Sequence, residues 1–167
     1  MNRRSWLIAC MGVALTGVAA ALEDPGKAKI ARVCVTVYHA TDGDAPAVGK
    51  HPAVSQEMAE RLRREERLRF KHYRVLGQDT QPLLRSYESW AQPLKPSDEV
   101  LVRFEAQGVP TKKLVALDLE LWLGRKKIVK TDARLEGNRP LLVLGPAWRG
   151  GRLIIAVALA PELKTAL

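Results

Sequence analysis

From Leu114 onward the chain alternates apolar and polar residues. LVALDLELWL places Val115, Leu117, Leu119, Leu121 and Leu123 on one side, and Ala116, Asp118, Glu120 and Trp122 on the other. Successive side chains of a strand point to opposite faces, so this run predicts one dry face and one mostly wet face. Gly124-Arg125-Lys126 turns the chain into IVKTDARL, EGNRP into LLVLG, and PAWRGG into RLIIAVALA. The pattern is an antiparallel meander from Leu114 to Leu159, a scaffold rather than a catalytic motif.

Upstream, KIARVCVTVYHA reads as the first strand, with Val33, Val35 and Val37 on one face. TDGDAPAVGKHP is a loop by its Gly, Pro and Asp content. Ser55 is placed to cap a helix from about Gln56 to Arg67, with Val54, Met58 and Leu62 as a narrow apolar stripe. Glu57–Arg61, Glu60–Arg64 and Glu65–Arg69 stand at the spacing of favourable ion pairs. RFKHYRVLG returns to a period of two. The stretch around Pro82, Pro93 and Pro96 predicts short edge strands or loops. EVLVRFEAQG resumes clean alternation through Val100, Val102 and Phe104. The expected fold is a single β-rich α+β domain over residues 22–167. It has about six or seven mostly antiparallel strands, sandwich-like, with one helix near residues 55–67.

The first residues change the charge balance. MNRRSWLIACMGVALTGVAAALEDPG has a basic start, a short apolar run and small residues at Ala19 and Ala21. That is the layout of a secretory signal peptide over residues 1–21, cleaved after Ala21. Arg3-Arg4-Ser5-Trp6-Leu7 resembles the twin-arginine export motif with Trp in place of Phe, which leaves two export routes open. The expected location is periplasmic or secreted. The 167 residues carry 27 basic and 18 acidic side chains, a net +9. Removing Arg3 and Arg4 leaves 25 against 18, or +7. A basic surface attracts polyanions. An exported chain meets anionic lipid or another envelope component or protein rather than nucleic acid.

Candidate chemistry is sparse. His39, Thr41, Asp42 and Asp44 have a metal-like flavour, but a turn built on Asp and Gly explains them too. His39, His51 and His72 lack the company of any recognisable nucleophile motif. No cofactor is expected. With Cys10 in the leader, Cys34 is the single thiol of the mature chain and is expected to be buried on its strand. The basic run RLRREERLRFKHYR offers Arg61, Arg64, Arg67, Arg69 and Lys71 as polyanion-binding residues, although Glu60, Glu65 and Glu66 dilute its field. Trp122 falls on the polar side of its strand and Trp148 in a turn. With Trp90 they are candidates for a partner surface.

VCVTVYHATD, LRFKHYRVLG and PLLVLGPAWRGGRLIIAVAL together resemble a group of small exported, β-rich bacterial proteins. Members of that group likewise join a helix to a Tyr-Arg-x-Leu segment and end in a glycine-rich hairpin. The chain departs from them at Asn138-Arg139-Pro140, where a glycine pair is expected. The resemblance implies a fold and an envelope address, without a mechanism. Three expectations follow from the sequence. The first is an exported, non-catalytic binding or structural module. The second is a polyanion or anionic-lipid binder acting through the arginine-rich helix. The third is a hydrolase with dispersed catalytic residues.

Overall fold

A computed structural model describes residues 23–44, 49–108, 111, 114–137 and 139–161. The leader with its cleavage site, and Asn138 of the anticipated turn difference, lie outside the described residues. Among the described residues, eight strands form two four-stranded antiparallel sheets. They are β1 (Lys29–Thr41), β2 (His72–Leu84), β3 (Ser89–Ala91), β4 (Val100–Gln107), β5 (Leu114–Leu123), β6 (Lys126–Glu136), β7 (Leu141–Trp148) and β8 (Gly151–Leu159). One sheet runs β2-β1-β8-β7 and the other β3-β4-β5-β6. The α+β, β-rich sandwich read from the alternation is the fold observed, but the expected meander from Leu114 to Leu159 is split, because the chain crosses from one sheet to the other between β6 and β7. Its eighth strand is β3, three residues among prolines, too short for alternation to reveal.

The core lies between the sheets and is built from the residues that alternation assigned to it. Val33, Val35 and Val37 of β1 meet Leu153, Ile155 and Val157 of β8. Across the gap stand Val102 and Phe104 of β4 with Val115, Leu117, Leu119 and Leu121 of β5. Each is nearly or wholly buried, and burying such a side chain contributes about 1.5–3 kcal/mol.

The helix α1 (Gln56–Arg64) is shorter than expected. Ser55 caps it, its Oγ accepting the Met58 N–H at 3.3 Å. Glu65 is extended, and a short 3-10 turn follows over Glu66–Leu68. The break lets Leu68 reach the sheet. Its carbonyl accepts the Tyr73 hydroxyl at 2.7 Å, while that hydroxyl accepts the Phe70 N–H at 2.8 Å. Ala59, Leu62 and Leu68 thus cover Tyr38, Ala40, Tyr73, Ile154 and Ala156, the outer face of the first sheet.

Strand β2 also departs from its expected length, running through Pro82 to Leu84. Proline cannot donate to a ladder, but β2 is an edge strand, and Pro82 pairs with Arg32 of β1. The β2 edge is closed by the second sheet. Asp79 accepts the Gln92 N–H at 2.8 Å, and Ser89 Oγ donates to Pro82 O at 2.6 Å. A side chain at Gly77 would drive into the Pro93 carbonyl, so glycine is required there by close approach. At the other end of the chain, β7 and β8 join through Arg149-Gly150. Both residues have positive φ, the geometry of a tight two-residue hairpin.

Candidate functional site

The outer face of the second sheet carries no covering element among the described residues, and it holds a row of paired charges. Register places Trp90, Arg103, Glu120 and Lys130 side by side across β3, β4, β5 and β6. The Arg103 guanidinium reaches Glu88, Glu105 (2.8 Å), Asp118 (3.3 Å) and Glu120 (3.8 Å). Lys127 Nζ lies 2.8 Å from Glu120, and Lys130 Nζ 3.5 Å from both Asp118 and Glu120. Glu120 is nearly buried beneath them. The hydrogen bond from Lys127 is the main reason its carboxyl is held below the usual range, and Arg103 does the same for Glu88.

Two tryptophans belong to this face. Trp90 Nε1 donates to Glu88 at 3.1 Å and Trp122 Nε1 to Glu120 at 3.0 Å. Their ring centroids are 6.1 Å apart, and the Lys127 ammonium sits 5.1 Å from the Trp122 ring. Trp148 has other neighbours. It packs against the core at one end of the sandwich, edge-on to His39, with its Nε1 2.7 Å from Glu99 and the Arg149 guanidinium over its ring. Trp122 and Trp148 therefore occupy separate neighbourhoods, and the indole that accompanies Trp122 is Trp90. The charged row was missed by reading each strand alone. Its signal was the opposite charges on the polar sides of two strands, Arg103 on one and Asp118 and Glu120 on the other.

The histidines and the lone thiol are placed differently from one another. His39 is fully buried, and its Nε2 donates to Trp148 O at 3.2 Å. Its Nδ1 meets no hydrogen-bonding group among the described residues. His51 and His72 are exposed at the surface. Asp42 accepts the Lys71 N–H at 2.9 Å, and Thr41 Oγ1 donates to Gly150 O, so the loop residues hold neighbouring chain in place. Among the described residues no three His, Cys, Asp or Glu side chains are placed to hold a metal ion. Cys34 does not lie in the core as expected. It alternates with buried Val33 and Val35, which turns it to the outer face, half-exposed beside Thr36.

The arginine-rich segment divides into two kinds of side chain. Arg63 donates to Lys71 O at 3.3 Å and lies over the Tyr73 ring, while Arg69 Nε donates to Arg63 O at 3.1 Å. These two hold the exit of the helix. Arg61, Arg64 and Arg67 have no salt bridge among the described residues. The expected pairs Glu57–Arg61, Glu60–Arg64 and Glu65–Arg69 are not closed; Glu60 instead accepts a hydrogen bond from Gln56 at 3.0 Å. Arg61 and Arg67, together with Glu65 and Glu66, border an open groove of about 630 Å³ between the helix and β7, with Leu68, Leu142 and Leu144 in its lining. No helix among the described residues is long and apolar enough to cross a membrane. No protein-family model, curated protein or solved structure matches this chain.

Proposed function

We propose that this protein is an exported, non-catalytic binding module of the bacterial cell envelope that engages an acidic partner through the arginine side of α1. One observation carries the reading. Arg61, Arg64 and Arg67 remain without carboxylate partners although glutamates stand at pairing distance along the same segment. Arg103, Lys127 and Lys130 on the second sheet, by contrast, are each matched by carboxylates. A cation without an ion-pair partner stays available to an external anion even where Glu60, Glu65 and Glu66 dilute the field, and the groove beside Arg61 and Arg67 adds contact area. The leader and the basic balance of the chain support the envelope address.

Retention of the mature chain on immobilised heparin, a generic polyanion, tests this. Reversing Arg61, Arg64 and Arg67 to Glu should lower the eluting salt concentration far more than reversing Arg125, Lys126 and Arg134, three exposed cations around β6. Equal losses would show that only net charge matters and would overturn the reading.

A further inference from the structure

His39 continues the inward run of β1 after Val33, Val35 and Val37, and its side chain is wholly buried. The tip of the β7–β8 hairpin lies on its ring. A side chain at Gly151 would drive into that ring, so the hairpin backbone is in direct contact with it. Trp148 stands edge-on to the imidazole, and Trp148 O accepts the Nε2–H at 3.2 Å. A carbonyl can only accept, which fixes the neutral tautomer with its proton on Nε2. Nδ1 is then a bare lone pair, with no hydrogen-bonding group beside it among the described residues. Few further side-chain bonds hold the tip. Thr41 Oγ1 donates to Gly150 O at 3.2 Å, and Trp148 Nε1 to Glu99 at 2.7 Å.

We propose that His39 is a proton-controlled latch for the β7–β8 hairpin: its neutral ring holds Trp148 and Gly151 against the end of the core, and its protonated ring releases them. The latch is independent of the arginine side of α1. Protonation in place would put a second N–H on Nδ1, buried without an acceptor, and a full charge on a wholly buried ring. The charged groups on the neighbouring elements do not offset that cost. Arg74 stands opposite His39 on β2 and donates to His51 O, and Arg149 and Arg152 lie on either side of Gly150-Gly151. Glu99, ahead of β4, already accepts the Trp148 Nε1–H, and the Arg149 guanidinium is 3.8 Å from it. Past the end of β1, Asp42 is taken by the Lys71 N–H, and His72 is exposed. The hairpin backbone and the Trp148 indole lie on the ring, so an imidazolium becomes hydrated when the hairpin lifts. Lifting costs the His39, Thr41 and Glu99 hydrogen bonds and leaves both sheets otherwise intact, a local opening. The open form takes a proton for which the closed form has no place. Closure is therefore strongest above the ordinary imidazole range, about pH 6.5, and weakens below it. Acid thus exposes more of the Trp148 indole and the end of the core beneath it.

Amide exchange of the mature chain at about pH 7.5 and about pH 5.5, corrected for the intrinsic effect of pH on exchange, tests the latch. One proton taken by the open form alone predicts that protection over Ala147–Arg152 falls about tenfold across this range. Protection over Val115–Leu121 of β5 should stay level. Carboxylates ordinarily titrate near 4, below the window, and so do not produce the fall. His39→Gln, whose amide can still donate to Trp148 O but takes no proton, should abolish the fall. His51→Gln together with His72→Gln, both exposed, should leave it. A substitution at a buried site can unfold the chain, so a second measurement uses the unaltered sequence. In isotope-labelled protein, the His39 ring resonances should gain the imidazolium signature in step with the loss of protection at the hairpin. Level protection at the two pH values, a fall that survives in folded His39→Gln, or an equal fall across β5 would each overturn the inference. So would an imidazolium signal at His39 while the hairpin stays protected.

Discussion

The two sheets solve the same problem in opposite ways on their outer faces. The β2-β1-β8-β7 sheet places Tyr38, Ala40, Tyr73, Ile154 and Ala156 outward and covers them with α1 and Leu68. The β3-β4-β5-β6 sheet has no covering element among the described residues and places Arg103, Asp118, Glu120, Lys127 and Lys130 there instead. Apolar contact is non-directional and strong per area, whereas partly hydrated ion pairs contribute little net energy but fix geometry and solubility. The comparison teaches where spare binding capacity lies. On the charged face Arg103, Lys127 and Lys130 are matched by acids, while on the helical face Arg61, Arg64 and Arg67 are left over.

The largest effect should come from the covered face. Leu62→Ala, at a fully buried position, is expected to cost about 2–5 kcal/mol, read by urea unfolding. Arg103→Leu on the charged face should cost less than that. It leaves Glu88, Glu105, Asp118 and Glu120 crowded together, so added salt should recover part of the loss. A loss larger than that of Leu62→Ala would break the comparison.

Acid titration sharpens it further. Glu88 and Glu120 are held below their ordinary range by Arg103 and Lys127 respectively. Burial acts to raise Asp79, but hydrogen bonds from Lys95, Gln81 and the Gln92 N–H outweigh it and leave this carboxyl lowered too. A carboxyl depressed in the folded state stabilises the fold above its unfolded value, about 4, and that stability is lost as pH falls below it. Thermal unfolding followed from neutral pH down through that range should therefore show a falling midpoint. Arg103→Leu and Asp79→Asn should each flatten the fall, whereas Leu62→Ala should lower the whole curve without flattening it. The smallest effect belongs to Trp90→Ala. With Trp90 40% exposed, its ring contact with Trp122 and an exposed hydrogen bond to Glu88 are lost, and the ring contact is worth about 0.5–1.5 kcal/mol by the same urea assay.

Sequence alone determined the longer strands, their inward faces and the cap of the helix. Alternation is a local property set by the two faces of a strand, and Ser55 acts on a residue three positions away. Val33 to Val37 and Val115 to Leu121 were legible as core for that reason, and the basic segment at residues 61–71 was legible as charge. What only tertiary structure decided concerns groups far apart in the chain. Leu68 is called to the sheet by Tyr73 and ends α1 early. Pro82 is tolerated because β2 is an edge. Cys34 faces outward because its neighbours claim the core. Arg103 meets four carboxylates from three different segments, and Arg61 and Arg67 meet none while bordering a groove floored by β7. Local patterning sets which face of an element is dry, but which charges are neutralised and which edge stays open depends on what the fold brings beside them.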